Sequence, residues 1–434
     1  MRDLSSRLRE IVKRERGAHG AAPPRSMPLP ESTYTVVPDV EASQERSGDA
    51  CLVLTSRHPA ARSHGRRPIE AARPRPGHPL ALFDPRTAAV PEWWRKVVFF
   101  DIETTGLSGG AGTLAFLAGC GWFDTNDDFV VQQFFLASPS GERDMLHALG
   151  EVFDDASLVV TYNGRTFDVP FMETRWAFHR AAPPTDDLPH FDMLPPARRL
   201  WGQRDRAAVE TDGCSLAALE RRVLGFHRHD DVPGFEIPAR YFQFLRTGEM
   251  SVVEGVLEHN RHDLVSLAAL MAHALWLADE GPLACREAAE QVALGKLYER
   301  AGREDDALAA YGLATRAGDA ADARIAYGQM ARLYRRRSCH EQAAEAWERL
   351  LALVPRGRRT LTPLERTAVE ALAIHHEHRV RDLEQARQYA ETLGALSDGR
   401  LKSETERRLK RLRRKLARDC DADDAPAKLI YEEN

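Results

Sequence analysis

The sequence predicts an α/β domain, a mixed sheet flanked by helices, followed by an all-α domain. Three observations lead there. From about residue 93 to 278, apolar strand-like runs give way to alternating strand-like and helix-like segments. From about residue 285 the composition turns to Ala, Glu, Arg and Tyr with helical periodicity, and a motif recurs at a fixed interval. Before residue 93, Pro, Arg, His, Ser and Ala dominate with only brief apolar runs such as 51–54, the composition of a largely disordered segment. The 434 residues are enough for two or three domains, and 43% hydrophobic residues are ample for a core.

In the N-terminal region 1–92, residues 1–16 read as a short charged helix. The Arg-rich stretch 62–75 reads either as a solvated linker or as a strip that tracks a phosphate backbone. Trp93 and Trp94 then lead into the α/β domain as core anchors. The expected elements are strands at 97–101, 113–123 and 129–136, a helix at 142–153, a strand at 158–162 and a helix at 169–179. Helices follow to about 277, the last of them from about 252 to 275. The first three strands form an antiparallel trio, and the alternation after them makes the sheet mixed.

Four acids fall in three short motifs of this domain. Residues 97–107 read VVFFDIETTGL, residues 161–168 TYNGRTFD and residues 259–263 HNRHD. The run 97–100 reads as a buried strand, and alternation puts Asp101 and Glu103 on one side of its end. Two carboxylates so placed repel each other unless a cation lies between them, and oxygen ligands suit hard divalent ions such as Mg²⁺ or Mn²⁺. Asp168 opens an apolar helical segment, where helix capping is the plain alternative. His259 and Asp263 stand four apart and share a helix face. Such a grouping suits phosphodiester hydrolysis by two divalent ions, about 3.5–4 Å apart, that clamp the attacking and leaving oxygens while a base takes the water's proton. His259 is the candidate base, since imidazole titrates near working pH and sits one turn from Asp263. His262 points to a different helix face.

In order and type these acids resemble the DEDD exonuclease signature. The likeness runs from about residue 95 to 275. Residues 114–119 (LAFLAG), 190–194 (HFDML), 214–220 (CSLAALE) and 230–234 (DDVPG) are similar to the YprB-type ribonuclease H-like, or DnaQ-superfamily, exonuclease domain. The resemblance implies a ribonuclease H-like fold and a nuclease working at a 3′ end, with Asp101, Glu103, Asp168 and Asp263 on the metals. It also places Thr104, Gly106 and Leu107 beside the terminal nucleotide. Asn163 is expected to orient substrate or a metal ligand, and Asp192, in a helix or loop, to be structural. The loop 108–113 brings bare backbone N–H groups to a substrate or is a plain hairpin connection. In this superfamily the third motif has Tyr three residues, or His four residues, clear of the Asp. Here three residues separate His259 from Asp263.

In the region 285–398 the recurring motif has Gly295 and Tyr298, then Ala307, Tyr311 and Ala314. Shifted by 36 residues come Ala331 and Tyr334, then Ala343, Trp347 and Pro355. This matches the spacing of a tetratricopeptide unit, and a degenerate third copy covers about 367–396 with Ala386 as its small residue. Such a short stack is expected to bind a protein partner or to pack on the nuclease domain. Residues 399–434 hold a basic helix, 400–418, which either grips nucleic acid or caps the repeats, and then an acidic end.

Composition narrows the function class. A net charge of -5 and a pI near 6.4 give no global basic footprint, so nucleic acid must be held by local patches and metals. Six cysteines without a C-x-x-C pair indicate neither a zinc site nor a disulfide framework, which favours the reducing cytoplasm. The charged N-terminus is unlike a signal peptide, and no apolar run reaches a membrane span. The expected function is a two-metal 3′-5′ exonuclease acting on single-stranded DNA or RNA ends. The alternative is a non-catalytic nucleic-acid-binding scaffold whose repeats bind protein partners. A scaffold has no physical reason to keep four clustered carboxylates.

Overall fold

The computed structural model describes residues 41–46, 50–106, 112–202, 213–316, 320–355, 360–395 and 400–423. The charged segment 1–16, Leu107 with most of the glycine-rich loop, and the end of the acidic tail lie outside the described residues. Seven strands form one mixed sheet: β1 (Glu41–Arg46), β2 (Cys51–His58), β3 (Val97–Thr104), β4 (Ala115–Phe123), β5 (Phe129–Leu136), β6 (Leu158–Thr161) and β7 (His190–Asp192). Their order is β1-β2-β5-β4-β3-β6-β7. The trio β3-β4-β5 is antiparallel as expected, while β6 and β7 run parallel to β3. A parallel return needs a crossover. Helix α1 (Glu142–Asp154) supplies it before β6 and α2 (Asp168–Phe178) before β7.

Alternation along β3 divides the core. Val97 and Phe99 face one cluster, with Phe129, Val160 and Leu264, whereas Val98, Phe100 and Ile102 face the other, with Leu149, Trp176 and Tyr241. Helices α3 (Leu194–Trp201), α4 (Ile237–Thr247) and the long α5 (Ser251–Glu280) complete the layers. The early turns of α5 join the second cluster and its later turns the first.

The expectation of a largely disordered region 1–92 fails over residues 50–92. β2 pairs with β5 along its whole length, from Cys51 with Leu136 to His58 with Phe129, and extends the sheet. The Arg-rich stretch is neither solvated linker nor free strip but a packed strap. Ile69 is buried, His64 Nε2 lies 2.7 Å from the Ser266 hydroxyl of α5, and Arg73 donates to the Asp124 carbonyl at 2.9 Å. Its apolar residues come singly among Pro and Arg, so no period shows, and long Arg stems cover apolar surface while their heads stay wet. Trp93 is buried at the entry to β3, with Trp94 edge-on to it. Asp192 ends a strand, where the sequence suggested helix or loop, because HFD continues the parallel ladder beside β6.

The all-α region comprises α6 (Ala288–Arg300), α7 (Glu304–Ala314), α8 (Ala320–Arg336), α9 (His340–Ala352), α10 (Pro363–His375), α11 (Leu383–Ala395) and α12 (Arg400–Asp423). A Cβ at position 295 would lie 2.5 Å from the Tyr311 ring, so glycine lets α6 and α7 approach closely. This region is not separate from the sheet domain. Leu294, Tyr298 and Tyr311 join the same core as Phe99, Tyr298 donates to the Ala278 carbonyl at 3.0 Å, and Trp201 Nε1 donates to Glu290 at 3.1 Å. The basic helix α12 acts as a cap: Leu412 is buried beside Ala386 and Ala390, and Arg411 and Lys415 donate to the buried Glu377 at 2.7–2.9 Å.

Candidate metal centre

The acids converge at the end of β3. The ladder between β3 and β4 shifts register at Glu103/Thr104, and bulges of this kind re-aim side chains at a sheet's end. Asp101 and Glu103 leave the strand on the same face. Asp168, the first residue of α2, is more than a helix cap, since its Oδ1 accepts from the Ile102 N–H of β3 at 3.3 Å. Helix α2 is fixed on α1 through the buried Glu142, which accepts two bonds from Arg175 at 2.6 Å and lies 2.7 Å from His179 Nε2.

Asp263 arrives on α5, whose seat on the sheet has a specific cause. Gly119 pairs with Asp101 across the ladder, and a Cβ there would come 2.3 Å from Asn260 Oδ1. Through that gap the fully buried Asn260 donates to Asp101 Oδ2 at 2.9 Å and accepts from Gln133 at 2.8 Å. Gln133 also donates to the Leu257 carbonyl at 2.8 Å. This relay sets the register of α5 against the acids.

Glu103, His259 and Asp263 each bring a ligand atom within 4.8 Å of one another. His259 Nε2 stands 3.9 Å from Glu103 and 3.5 Å from Asp263, while Nδ1 lies 2.7 Å from Asp231 Oδ1. Arg228 Nη1 lies 3.3 Å from the same Nδ1; the shorter contact, to an acceptor-only carboxylate, is met by an N–H on Nδ1, and Nε2 faces the acids. Arg228 sits behind them: it binds Glu220 in a bidentate pair at 2.5 and 2.7 Å, reaches Asp231 at 3.3 Å and bonds Asp263.

One guanidinium does not balance these carboxylates. Burial pushes Glu103 up to about 8, repulsion from Asp263, Asp168 and Asp231 adds to it, and Arg228 opposes it. Asp168 is pushed up to about 7, first by burial, against the N–H groups that stabilise its charge. Asp101 is raised well above the carboxylate range by burial and then by its three acidic neighbours, with Asn260 opposing. Without a cation the site therefore holds protons at neutral pH. Carboxylate oxygens and one imidazole are a donor set for a hard or borderline divalent ion, whose binding displaces those protons.

The residues assigned to substrate are placed less openly. Thr104 is buried with its hydroxyl on the Gly106 carbonyl at 3.0 Å, and a Cβ at position 106 would meet nothing within 4 Å among the described residues. Leu107 lies outside the described residues. Asn163 adopts a left-handed φ of 69°, gives its N–H to Asp192 at 2.8 Å and takes the Thr166 hydroxyl on its side chain at 3.1 Å. Asp192 also accepts from Arg165 N and Leu194 N, the structural role expected of it. His262 meets Phe226 edge-on and is pushed down to about 4, first by burial and then by Arg228 and Arg261. The sequence reading gave no role to Arg228, Asp231, Glu220, Asn260 or Gln133. Asp231 and Glu220 do fall in the runs DDVPG and CSLAALE that carried the resemblance.

Residues 98–275 match the family model of the RNase H superfamily. Over 329 residues, 74% of this chain and 75% of the relative, the sequence is 34% identical to the uncharacterized protein YprB of Bacillus subtilis (strain 168).

Proposed function

The chain belongs to the YprB family and carries an RNase H superfamily domain, and on that premise we propose that it is a metal-dependent 3′-5′ exonuclease acting on single-stranded DNA or RNA ends. The observation that carries the reading is the convergence of four carboxylates whose repulsion Arg228 leaves uncompensated. Asp101, Glu103, Asp168 and Asp263 would hold two ions, Mg²⁺ or Mn²⁺, which when bound make water nucleophilic and neutralise the scissile phosphate.

The chain's own groups do the rest. His259 Nε2 takes the proton of the attacking water, and Asp231 on Nδ1 steadies the imidazolium that results. Arg228 keeps Asp263 and Asp231 aimed at the site. Phe235, 83% exposed four residues beyond Asp231, offers a ring on which a terminal base can stack. The paired helices α6 to α11 serve as a tetratricopeptide-like module that packs on the nuclease domain and takes a protein partner. The setting is cytoplasmic, in keeping with the free thiols of the described cysteines. No described helix is long and apolar enough to cross a membrane.

The test is degradation of 3′-labelled and 5′-labelled single-stranded DNA and RNA with Mn²⁺, Mg²⁺ or EDTA. Loss of the 3′ label by wild type and not by Asp101→Ala supports the enzyme, and a His259→Ala protein that keeps metal affinity but loses turnover supports the base. Binding without cleavage under every metal would favour the scaffold reading instead.

A further inference from the structure

An open groove of about 560 Å³ runs between α3 of the sheet domain and the helices α6 and α8. Its lining sets Arg199, Lys296, Arg300 and Arg336 against two carboxylates, Glu299 and Glu304. Both acids are already engaged. Glu299 accepts from Arg336 and from the Tyr311 hydroxyl, each at 2.7 Å, and Glu304 accepts from Arg337 at 2.6 Å. Arg300 is exposed and has no hydrogen-bond or ion-pair partner among the described residues. Arg199, also exposed, donates to the Phe83 carbonyl at 2.9 Å and meets no acid within ion-pair distance among the described residues. The two guanidiniums feel each other: Arg300 is held below the ordinary guanidinium range first by partial burial and then by Arg199.

The positive charge extends beyond the groove. Asp84 caps the helical turn Pro85–Ala89 and is bound by Arg86 at 2.7 Å and by Arg165 at 3.4 Å, while Arg199 acts on it from beyond ion-pair distance. One carboxylate thus answers three guanidiniums. Arg165 lies in the motif TYNGRTFD, three residues before Asp168. The side chains of Arg86 and Arg165 stay 67% and 35% exposed, so their charge reaches solvent. On a chain of net charge -5, guanidiniums therefore mark a course from the acidic cluster to the groove.

We propose that a single nucleic-acid strand with its 3′ end at the acidic cluster continues over Arg165 and Arg86 into this groove, where Arg199 and Arg300 take its backbone phosphates. The proposal rests on the nuclease reading for the strand's direction and deepens it by naming where the rest of the substrate lies. Basic grooves that follow the backbone hold single strands, and guanidinium forks match phosphate oxygens. An acidic protein segment fits less well. Apart from charged residues and Gln329 the lining holds only Ala293, 2% exposed, whereas protein interfaces centre on apolar and aromatic anchors. With no ring in the groove to read a base, the hold is on phosphate and independent of sequence.

The test is fluorescence anisotropy of the full-length protein in EDTA, which prevents metal-dependent cleavage, with 5′-labelled single strands of about 4 and about 20 nucleotides. The long strand should bind at least about tenfold tighter than the short one and lose affinity steeply as salt rises. Arg300→Ala, at an exposed side chain without a partner, should weaken the long strand about fivefold at an unchanged melting temperature and lower its salt slope by about one. Arg199→Ala should lower the slope likewise, and the short strand should not distinguish these variants. Equal affinity for both lengths, or a salt slope that neither variant changes, would overturn the proposal. So would a polyglutamate peptide that binds as tightly as the long strand and is lost in the same variants, in favour of an acidic protein segment. Wild-type cleavage of the short strand with Mn²⁺ reads the nuclease by itself. A short strand that is cut, with no tighter hold on the long one, sinks the groove alone; uncut strands held with this length and salt dependence sink the nuclease reading and leave the groove.

Discussion

Asp101, Glu103 and Asp168, buried together at the end of β3, oppose folding of the metal-free protein. Glu103 ionises at 4.5 as a free group and at about 8 when folded, so between these values the folded state holds the extra proton and stability falls as pH rises. Asp168, moving from 3.8 to about 7, adds the same sign over its own window. In EDTA the melting temperature should therefore drop between about pH 5 and 8, and Mn²⁺ should remove the slope. Glu103→Gln should raise stability in EDTA at pH 8 by at least about 1 kcal/mol, measured by urea unfolding, while destroying activity. Arg228 has the opposite character. Its partner Glu220 is 1% exposed, so Arg228→Met strands a buried charge and should cost about 3–5 kcal/mol, with part recovered in Arg228→Met/Glu220→Gln. The four clustered acids were legible because each sits in a motif. Arg228 and Asp231 act through contacts 35 and 28 residues away along the chain, which no local pattern encodes.

At the scale of elements, α5 has to lie at one height on the sheet for Asp263 and His259 to meet Glu103. The relay from Gln133 through Asn260 to Asp101 sets that height, and the missing side chain at Gly119 makes room for it. Gly119→Ala should cost about 1–3 kcal/mol by overpacking and lower turnover at least about tenfold through a displaced α5, read by denaturation and cleavage assays. The strands β3 to β6 and the helices α1, α2 and α5 were legible because long apolar runs carry their own period. β2 and the strap were not. Their buried residues are few and sit among Pro and Arg, and what orders them is an open edge on β5 and the flank of α5. The start of α4 gives a further test. Phe235→Ala should raise KM for oligonucleotides several-fold with kcat unchanged, and Phe235→Tyr should restore it, if the ring stacks a base.

At the scale of the whole molecule, the first helices of the all-α region share one of the two core clusters of the sheet domain. Sequence composition breaks near residue 285, yet Leu294, Tyr298 and Tyr311 sit in the cluster that holds Phe99 and Leu264. A chain ending at Gly281 would strip Trp201 and the Ala278 carbonyl of their partners and expose that cluster. It should melt well below the full protein and aggregate, as light scattering on heating will report. The acidic cluster depends on this body only through the seat of α5, so the proposed metal site can be tested on the intact chain. The most direct measurement is calorimetric titration of Mn²⁺ into the full protein at pH 7 in buffers of different ionisation enthalpy. Saturable binding of about two ions, with protons released from the raised carboxylates and binding lost in Asp101→Asn, is the predicted result. No saturable binding, or binding that releases no protons and ignores Asp101→Asn, would contradict it.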